Sequence, residues 1–195
     1  MTVVALPLSV LVVCTGNICR SPLAEQLLQA RLTEAGVSAI VTSAGTRALV
    51  GYPMTPEAAG LAIRYGAAPQ AHAATQLTRE LIESADLVLT ATREHRSEVV
   101  SLHPRAARYA YTLTQFARLV DAIPPTPSAG PEAITTYLAE VSTTKGLTPP
   151  PHTAADDDIE DPYRQSEEIY ARVAHSIDQA VTQITAALAA AEMRR

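Results

Sequence analysis

The chain of 195 residues has no tryptophan, one phenylalanine, one lysine and only two cysteines. Cys14 and Cys19 are too few and too close together to cross-link a fold of this length. They also lack the C-x-x-C pairs of a structural zinc site. The cysteine content therefore fits a protein of a reducing compartment.

Basic residues are scarce as well, since Lys plus Arg total 15 against 20 Asp plus Glu, for a net charge of −5. The chain lacks the basic excess that binding to a nucleic-acid backbone uses, so we expect no nucleic-acid partner.

Residues 2–13 are apolar, but no Lys or Arg precedes them and no small-x-small cleavage site follows, which favours a buried strand over a signal peptide. No uncharged apolar segment reaches the roughly 18 residues of a membrane span. We expect a cytoplasmic protein without a membrane partner.

Short apolar runs alternate with amphipathic helical patterns along the chain. Predicted buried strands lie at residues 9–13, 39–42 and 86–90, with a fourth candidate at 107–111. One predicted helix begins at an N-capping Ser21 and ends at Gly36, and a second begins at Thr55 and ends at Gly66. Further helical patterns cover residues 93–102, 114–120 and 165–190. Strands that alternate with helices predict an α/β fold with a parallel sheet.

The stretch between Pro124 and Pro151 differs in composition, because it holds seven of the fourteen prolines. Within residues 131–145 the apolar side chains recur at helical spacing before Gly146. They are Ile134, Tyr137, Leu138 and Val141. The pattern predicts an insertion that carries a lone helix on flexible arms.

Residues 14–21, with the sequence CTGNICRS, join the first predicted strand to the first predicted helix. In α/β folds ligands bind at this end of the strands, and a loop that runs into a helix N-terminus directs N–H groups at an anion. The same donors favour the thiolate of Cys14, which makes it the candidate nucleophile. Arg20 can hold two oxygens of a tetrahedral oxyanion, and the Ser21 hydroxyl is placed to hydrogen-bond the sulfur. The alternative is a buried structural cysteine at a strand end.

The segment VLVVCTGNICRSP resembles the signature of the low-molecular-weight protein tyrosine phosphatases. The resemblance continues in TSAGT at 42–46, in AHAATQLT around His72, in LVLTATREHR at 87–96 and in DIEDPYRQS at 158–166. It covers nearly the whole chain apart from the Pro-rich stretch. It implies a three-layer fold in which helices flank a four-stranded parallel sheet. We therefore expect one phosphatase domain over residues 1–195, with the Pro-rich insertion at about 122–155 containing one short helix.

The resemblance also implies roles for individual side chains. It makes Cys14 the nucleophile, Arg20 the phosphate clamp and Ser21 the stabiliser of the thiolate. Asp161 becomes the general acid and then the general base, while Asn17, Ser43 and His72 hold the loop in shape by hydrogen bonding. Elementary chemistry agrees on Asp161, because a phenolate leaving group with a pKa of about 10 needs a proton donor at neutral pH. This chemistry needs no metal and no other cofactor.

The predicted substrate is a tyrosine-phosphorylated protein, with phosphate or similar oxyanions as ligands of the loop. Family members usually carry an aromatic residue shortly after the SAGT segment, but residues 47–49 here are Arg-Ala-Leu. Tyr52 is expected to take that place, and Tyr163 to stack on the substrate ring. Cys19 either traps an oxidised nucleophile as a disulfide, as in the resembled family, or packs as a small apolar residue. The substrate-binding set comprises Thr15, Gly16, Asn17, Ile18, Cys19, Ser21, Tyr52 and Tyr163.

Three other functions fit parts of the pattern. An arsenate reductase would relay a disulfide through further cysteines, yet none follows Cys19. Protein arginine phosphatases are associated with Thr at the position of Ile18. A phosphotyrosine-binding module without turnover would not need the intact set of Cys14, Arg20 and Asp161. Asp161 itself lies in an acidic run, residues 156–161, that could equally be a solvated helix start.

Overall fold

Four parallel strands form the centre of the computed structural model, which describes residues 6–68, 71–126 and 132–192. The strands are β1 (Leu8–Cys14), β2 (Ala39–Gly45), β3 (Leu87–Thr90) and β4 (Ala110–Thr112), in the order β2-β1-β3-β4. The predicted α/β fold with a four-stranded parallel sheet is confirmed. Residues 2–5 of the N-terminal apolar stretch and Pro131 lie outside the described residues.

The helices of the described residues lie on both faces of this sheet. They are α1 (Arg20–Glu34), α2 (Pro56–Arg64), α3 (Arg79–Glu83), α4 (Arg93–Leu102), α5 (Leu113–Ala122), α6 (Ala133–Thr144) and α7 (Glu167–Ala191), with 3-10 turns at Pro104–Arg108 and Ala154–Asp157. No helix in this described part of the chain is long and apolar enough to cross a membrane.

The side chains of β1 alternate between two hydrophobic clusters, as a strand covered on both faces requires. Val10 and Val12 belong to the larger cluster, formed with α1, α5 and α7. Leu11 and Val13 belong to the smaller one, formed with α3 and α4. The two clusters make the fold three-layered.

The register of the sheet brings the carboxyl ends of three strands together. Cys14 of β1 pairs with Gly45 of β2, and Val13 pairs with Thr90 of β3. A Cβ atom at Gly45 would overlap with the carbonyl oxygen of Thr15, so this close approach requires glycine. The loops after β1, β2 and β3 therefore meet at one edge of the sheet.

Local signals place most helix ends, but α1 begins differently from its prediction. Its N-cap is Cys19, without a side-chain capping bond, and Ser21 lies inside the first turn. The Ser21 hydroxyl instead contacts the Cys14 sulfur, which is why the predicted capping role was wrong. Thr55 does cap α2 by accepting from the Ala58 N–H. Helix α3 has only five residues and was not predicted.

Helix α6 of the Pro-rich stretch packs onto the core, in contrast to the lone helix expected from the sequence. Tyr137 and Val141 are buried in the larger cluster, and the Tyr137 hydroxyl donates to the Ile123 carbonyl at 2.8 Å. The Lys145 ammonium lies 4.3 Å from the centroid of the Tyr111 ring. Burial, with a smaller contribution from the charge of Arg96, lowers the pKa of Lys145 to about 8. The apolar spacing thus marks a face buried against the sheet layer.

Candidate active site

The loop between β1 and α1 surrounds the sulfur of Cys14 with hydrogen-bond donors. Cys14 is buried at the end of β1, and its Sγ lies 2.9 Å from Ser21 Oγ and 3.3 Å from the backbone N–H of Asn17. Ser21 Oγ already accepts from the Asn17 side-chain amide at 2.9 Å, which leaves its O–H to donate to the sulfur. Both donors stabilise negative charge on sulfur.

Asn17 holds this loop in its shape. Its φ of 56° is in the left-handed region, which asparagine tolerates better than most residues. The second N–H of its amide donates to Ser43 Oγ at 2.7 Å, and its Oδ1 accepts from the Thr75 N–H at 2.8 Å. The Asn17 carbonyl accepts from His72 Nε2 at 2.7 Å. Every polar group of this fully buried side chain is therefore satisfied.

Glu25, on the second turn of α1, completes the network behind the loop. Ser43 Oγ donates to its carboxylate, and His72 Nδ1 lies 4.0 Å from the same oxygen. Burial raises the pKa of Glu25 above its usual value, while the hydrogen bond from Ser43 opposes that shift. Sequence reasoning missed Glu25. Glu25 lies one helical turn after Ser21, and this spacing, which places both residues on the same face of α1, was the one signal in the sequence that could have indicated it.

Arg20, the first residue of α1, lines the same cavity as Cys14, and its side chain is only 6% exposed. Its Nη1 donates to the Ile159 carbonyl at 3.1 Å, and Nη2 lies 2.8 Å from Asp161 Oδ2. Nη2 also lies 3.5 Å from Thr15 Oγ1. Among the described residues, the buried Nε of Arg20 meets no hydrogen-bond acceptor. A buried donor of this kind calls for an anion or water as its partner.

Asp161 stands at the rim, with 53% of its side chain exposed. Its Oδ1 accepts from the Tyr163 N–H at 3.2 Å, which fixes the carboxylate relative to the following turn. The neighbouring acids of the run are engaged elsewhere. Asp156 caps the 3-10 turn, Asp157 pairs with Arg118, Asp158 with Arg93, and Glu160 with Arg172. Asp161 is the member of the run that lines the same cavity as Cys14.

A cavity of about 200 Å³ opens above the loop. Its lining consists of Cys14, Thr15, Gly16, Ile18, Cys19, Arg20, Arg47, Leu49, Asp161 and Tyr163. Tyr52, expected from the sequence to line it, is 63% exposed and is not part of the wall. The Leu49 N–H donates to the Gly16 carbonyl at 3.0 Å, which ties Leu49 to the loop and gives it the position expected for Tyr52. Asn17 and Ser21 lie beneath the cavity surface as supports.

His95 is a buried contact of the loop that the sequence did not reveal. Its Nε2 lies 2.8 Å from Thr15 Oγ1, and its Nδ1 lies 2.7 Å from Oγ1 of Thr92, the N-cap of α4. Burial lowers the pKa of His95 to about 4, and the charges of Arg20 and Arg47 add to the shift. The imidazole is therefore neutral at pH 7. Its place just after β3, at the same sheet edge as Cys14, was the available signal.

Cys19 differs from Cys14 in its surroundings. Its Sγ lies 3.6 Å from Thr55 Oγ1 and 3.6 Å from the Tyr170 hydroxyl, and it is 4% exposed. Burial raises the pKa of the Cys19 thiol. Neither cysteine is part of a disulfide. Cys19 is thus kept protonated, while the donors of the loop converge on Cys14.

Comparison with known proteins places this thiol and arginine loop within an established family. Residues 9–123 match the model of the low molecular weight phosphotyrosine protein phosphatases. The chain belongs to this family.

Three known proteins illustrate the similarity. The low molecular weight protein-tyrosine-phosphatase Etp of Escherichia coli (strain K12) is 45% identical over 96 residues, which are 49% of this chain and 62% of Etp. The protein-arginine-phosphatase of Bacillus subtilis (strain 168) is 37% identical over 109 residues, or 56% of this chain and 72% of that protein. Wzb of Vibrio vulnificus in complex with benzylphosphonate has a TM-score of 0.66 at 26% identity, over 92% of this chain and 97% of that chain. The match to Etp spans less than two thirds of its length.

Proposed function

We propose that this protein hydrolyses phosphotyrosine in proteins through a phosphocysteine intermediate on Cys14. The observation that carries the proposal is the Cys14 sulfur held by the Ser21 hydroxyl and the Asn17 N–H, beside a buried guanidinium and an exposed carboxylate. These are a nucleophile, an oxyanion clamp and a proton donor around one cavity.

In the first step the Cys14 thiolate attacks phosphorus, so that an S–P bond forms as the P–O bond to the tyrosine ring breaks. Arg20 binds the equatorial oxygens, and its inward Nε, buried without an acceptor among the described residues, gains a partner there. The N–H groups at the start of α1 share the negative charge. Protonated Asp161 delivers its proton to the phenolate oxygen, and neutral tyrosine leaves.

In the second step the Asp161 carboxylate removes a proton from water, which attacks the phosphocysteine. The S–P bond breaks, inorganic phosphate leaves, and the electron pair returns to sulfur. The Ser21 O–H, 2.9 Å from that sulfur, stabilises the departing thiolate. Because the cycle needs a reduced Cys14, it fits a cytoplasmic, reducing setting.

The walls of the cavity favour an aryl phosphate. Ile18, Leu49 and Tyr163 offer apolar or aromatic surface beside Cys14. In the related Wzb structure the ligand is benzylphosphonate, an aromatic ring one carbon from phosphorus. Asn17, Ser43 and His72 have the loop-holding role in this proposal.

Phosphoarginine is the second candidate substrate, because a protein-arginine-phosphatase matches over a longer stretch than Etp does. A guanidinium leaving group is more polar than a phenol and carries more N–H donors, and the Ile18 side chain offers it no hydrogen-bond acceptor. The apolar wall therefore favours phosphotyrosine.

The test measures phosphate release from a phosphotyrosine peptide and a phosphoarginine peptide, each with a chelator present. The wild type is compared with Cys14→Ser and Asp161→Asn, and folding of each is verified by circular dichroism. We expect chelator-resistant release from phosphotyrosine, none from Cys14→Ser and slow release from Asp161→Asn. Release from phosphoarginine alone would mean that the same site acts on phosphoarginine and not on phosphotyrosine. Folded protein that binds phosphotyrosine without release would refute the phosphatase function and support a binding module.

A further inference from the structure

We infer that Arg47 makes this protein select phosphotyrosines that have an aspartate or glutamate next to them in the substrate. The inference rests on the proposed function, since it concerns how the same cavity chooses among phosphotyrosine sites. It assigns Arg47 as a specificity residue, apart from the groups that act on phosphorus.

The backbone of Arg47 is fixed relative to the phosphate loop. The Thr46 N–H donates to the Cys14 carbonyl at 2.9 Å, and the Arg47 N–H donates to the Thr15 carbonyl at 3.0 Å. With the bond from Leu49 to Gly16, three consecutive contacts join the segment after β2 to the loop. The base of the Arg47 side chain therefore keeps a constant distance from the nucleophile.

The far end of Arg47 is available to a ligand. Arg47 lines the cavity that contains Cys14, yet its side chain is 65% exposed. Tyr163, also on the cavity wall, is 39% exposed. A tyrosine ring between Leu49 and Tyr163 would have its peptide backbone at the rim, where the Arg47 guanidinium meets the side chains that flank the phosphotyrosine.

The contact of Arg47 within the described chain is weak. Nη1 lies 3.9 Å from Glu98 Oε1, beyond hydrogen-bond distance, and both side chains are open to water. Exposed pairs of this kind contribute little to stability and exchange readily. The charge of Arg47 also contributes to the low pKa of His95, which contacts Thr15 of the loop.

The net charge of the molecule and the local charge of Arg47 have opposite effects on an acidic peptide. The net charge is −5, which repels acidic peptides at long range. Added salt screens both the repulsion by the net charge and the attraction by Arg47. If Arg47 governs recognition, salt lowers kcat/KM for acidic peptides relative to neutral ones. If only the net charge matters, salt raises it.

The experiment compares kcat/KM for three phosphotyrosine peptides of equal length whose flanking residues are glutamate, glutamine or lysine. A small aryl phosphate, which has no flanking residues, reports the phosphatase activity alone. The variants are Arg47→Ala, Arg47→Glu and Glu98→Gln. Arg105→Glu is the matched control, since it makes the same charge change on the 3-10 turn before β4, at the opposite edge of the sheet.

We expect the wild type to prefer the glutamate peptide over the glutamine peptide by about three- to fivefold, mainly in KM. Arg47→Ala abolishes the preference, Arg47→Glu reverses it toward lysine, and Glu98→Gln increases it because a competing carboxylate is gone. Arg105→Glu leaves it in place, and 0.5 M salt removes it.

Equal kcat/KM for the three peptides in the wild type would overturn the inference, as would a preference that survives Arg47→Glu. Either result, with the aryl phosphate and the peptides still hydrolysed, leaves the proposed function standing. If the folded wild type hydrolysed none of the substrates, both the inference about Arg47 and the proposed function would be overturned.

Discussion

The guanidinium of Arg20 and the carboxylate of Asp161 lie 2.8 Å apart across the mouth of the cavity. Arg20 is buried and Asp161 is half exposed, so one end of the pair is fixed and the other faces water. The pair holds the carboxylate beside the place where Arg20 would bind a phosphoryl group. Asp161 can therefore act as a proton donor to a leaving oxygen when it is protonated, and it places a negative charge beside the phosphate site when it is ionised.

Replacing Asp161 by Asn should separate these two effects. The amide cannot donate a proton to a phenolate as an acid does, so kcat for phosphotyrosine should fall about 10²- to 10⁴-fold. Removal of the negative charge beside Arg20 should at the same time tighten inhibition by inorganic phosphate about fivefold. Steady-state kinetics with phosphate as inhibitor measures both quantities.

An aryl phosphate with an acidic phenol as leaving group is the control for this variant. Such a group leaves without protonation, so Asp161→Asn should slow its release of phenol much less. The comparison uses kcat/KM, which reports the steps up to release of the phenol and leaves out the hydrolysis of the phosphocysteine, where Asp161 acts on both substrates alike. An equal loss of kcat/KM on both substrates would contradict the role of Asp161 as general acid.

Asn17 should contribute to both stability and activity, because it satisfies Ser21, Ser43 and the Thr75 N–H from one buried side chain. Asn17→Ala should lower the free energy of unfolding by at least about 2 kcal/mol and reduce kcat/KM. Asn17→Gly loses the same bonds but accepts the φ of 56°, so it should be about 1 kcal/mol more stable than the alanine variant.

Chemical denaturation of the two Asn17 variants tests this ranking, with Ser43→Ala as a milder control that removes fewer contacts. Alanine and glycine variants of equal stability would show that the loop relaxes out of its left-handed conformation when the amide is lost.

Contacts that are local in sequence could be predicted from the residues themselves, whereas contacts between distant segments could be predicted only where the family resemblance implied them. The strand, the glycine-containing loop and the start of α1 lie within residues 8–34, so their pattern is visible along the chain. By contrast, Thr15 and His95 are 80 positions apart, and Asn17 and Thr75 are 58 apart. Only the sheet register brings them to one edge.

Two residues show why local signals can mislead. Ser21 precedes a proline, which is the ordinary pattern of a helix N-cap. Its hydroxyl instead contacts the Cys14 sulfur. Tyr52 is the nearest aromatic after the SAGT segment, yet backbone bonds tie Leu49 to the loop and leave the tyrosine outside the cavity. In both cases a tertiary contact overrides the local preference.

The buried His95 should make stability fall in mild acid. Its pKa is about 4 in the folded protein and about 6.5 when exposed, so between these values the unfolded chain binds more protons. Unfolding is then favoured as pH decreases, and stability is fully present only above about pH 6.5. The loss due to His95 should reach up to about 2 kcal/mol at pH 5.

Denaturation of wild type and His95→Gln at pH 5 and pH 7 isolates this contribution, because the carboxylates are common to both proteins. The wild type should lose more stability than the variant between the two pH values. His175→Gln, at an exposed position on α7, should behave like the wild type. A parallel fall in wild type and His95→Gln would show that His95 does not stay neutral in the fold.

The packing of α6 predicts that the Pro-rich stretch contributes to stability. Val141 is fully buried against the larger cluster, so Val141→Ala removes packed methyl groups and should lower the free energy of unfolding by about 1 to 3 kcal/mol. Thr135→Ala, on the exposed side of the same helix, is the control and should leave stability nearly unchanged. Neither variant should alter kcat, because Val141 and Thr135 are absent from the cavity lining. Equal stability of Val141→Ala and wild type would mean that α6 unfolds separately from the sheet layers, whereas the expected loss makes it part of their cooperative core.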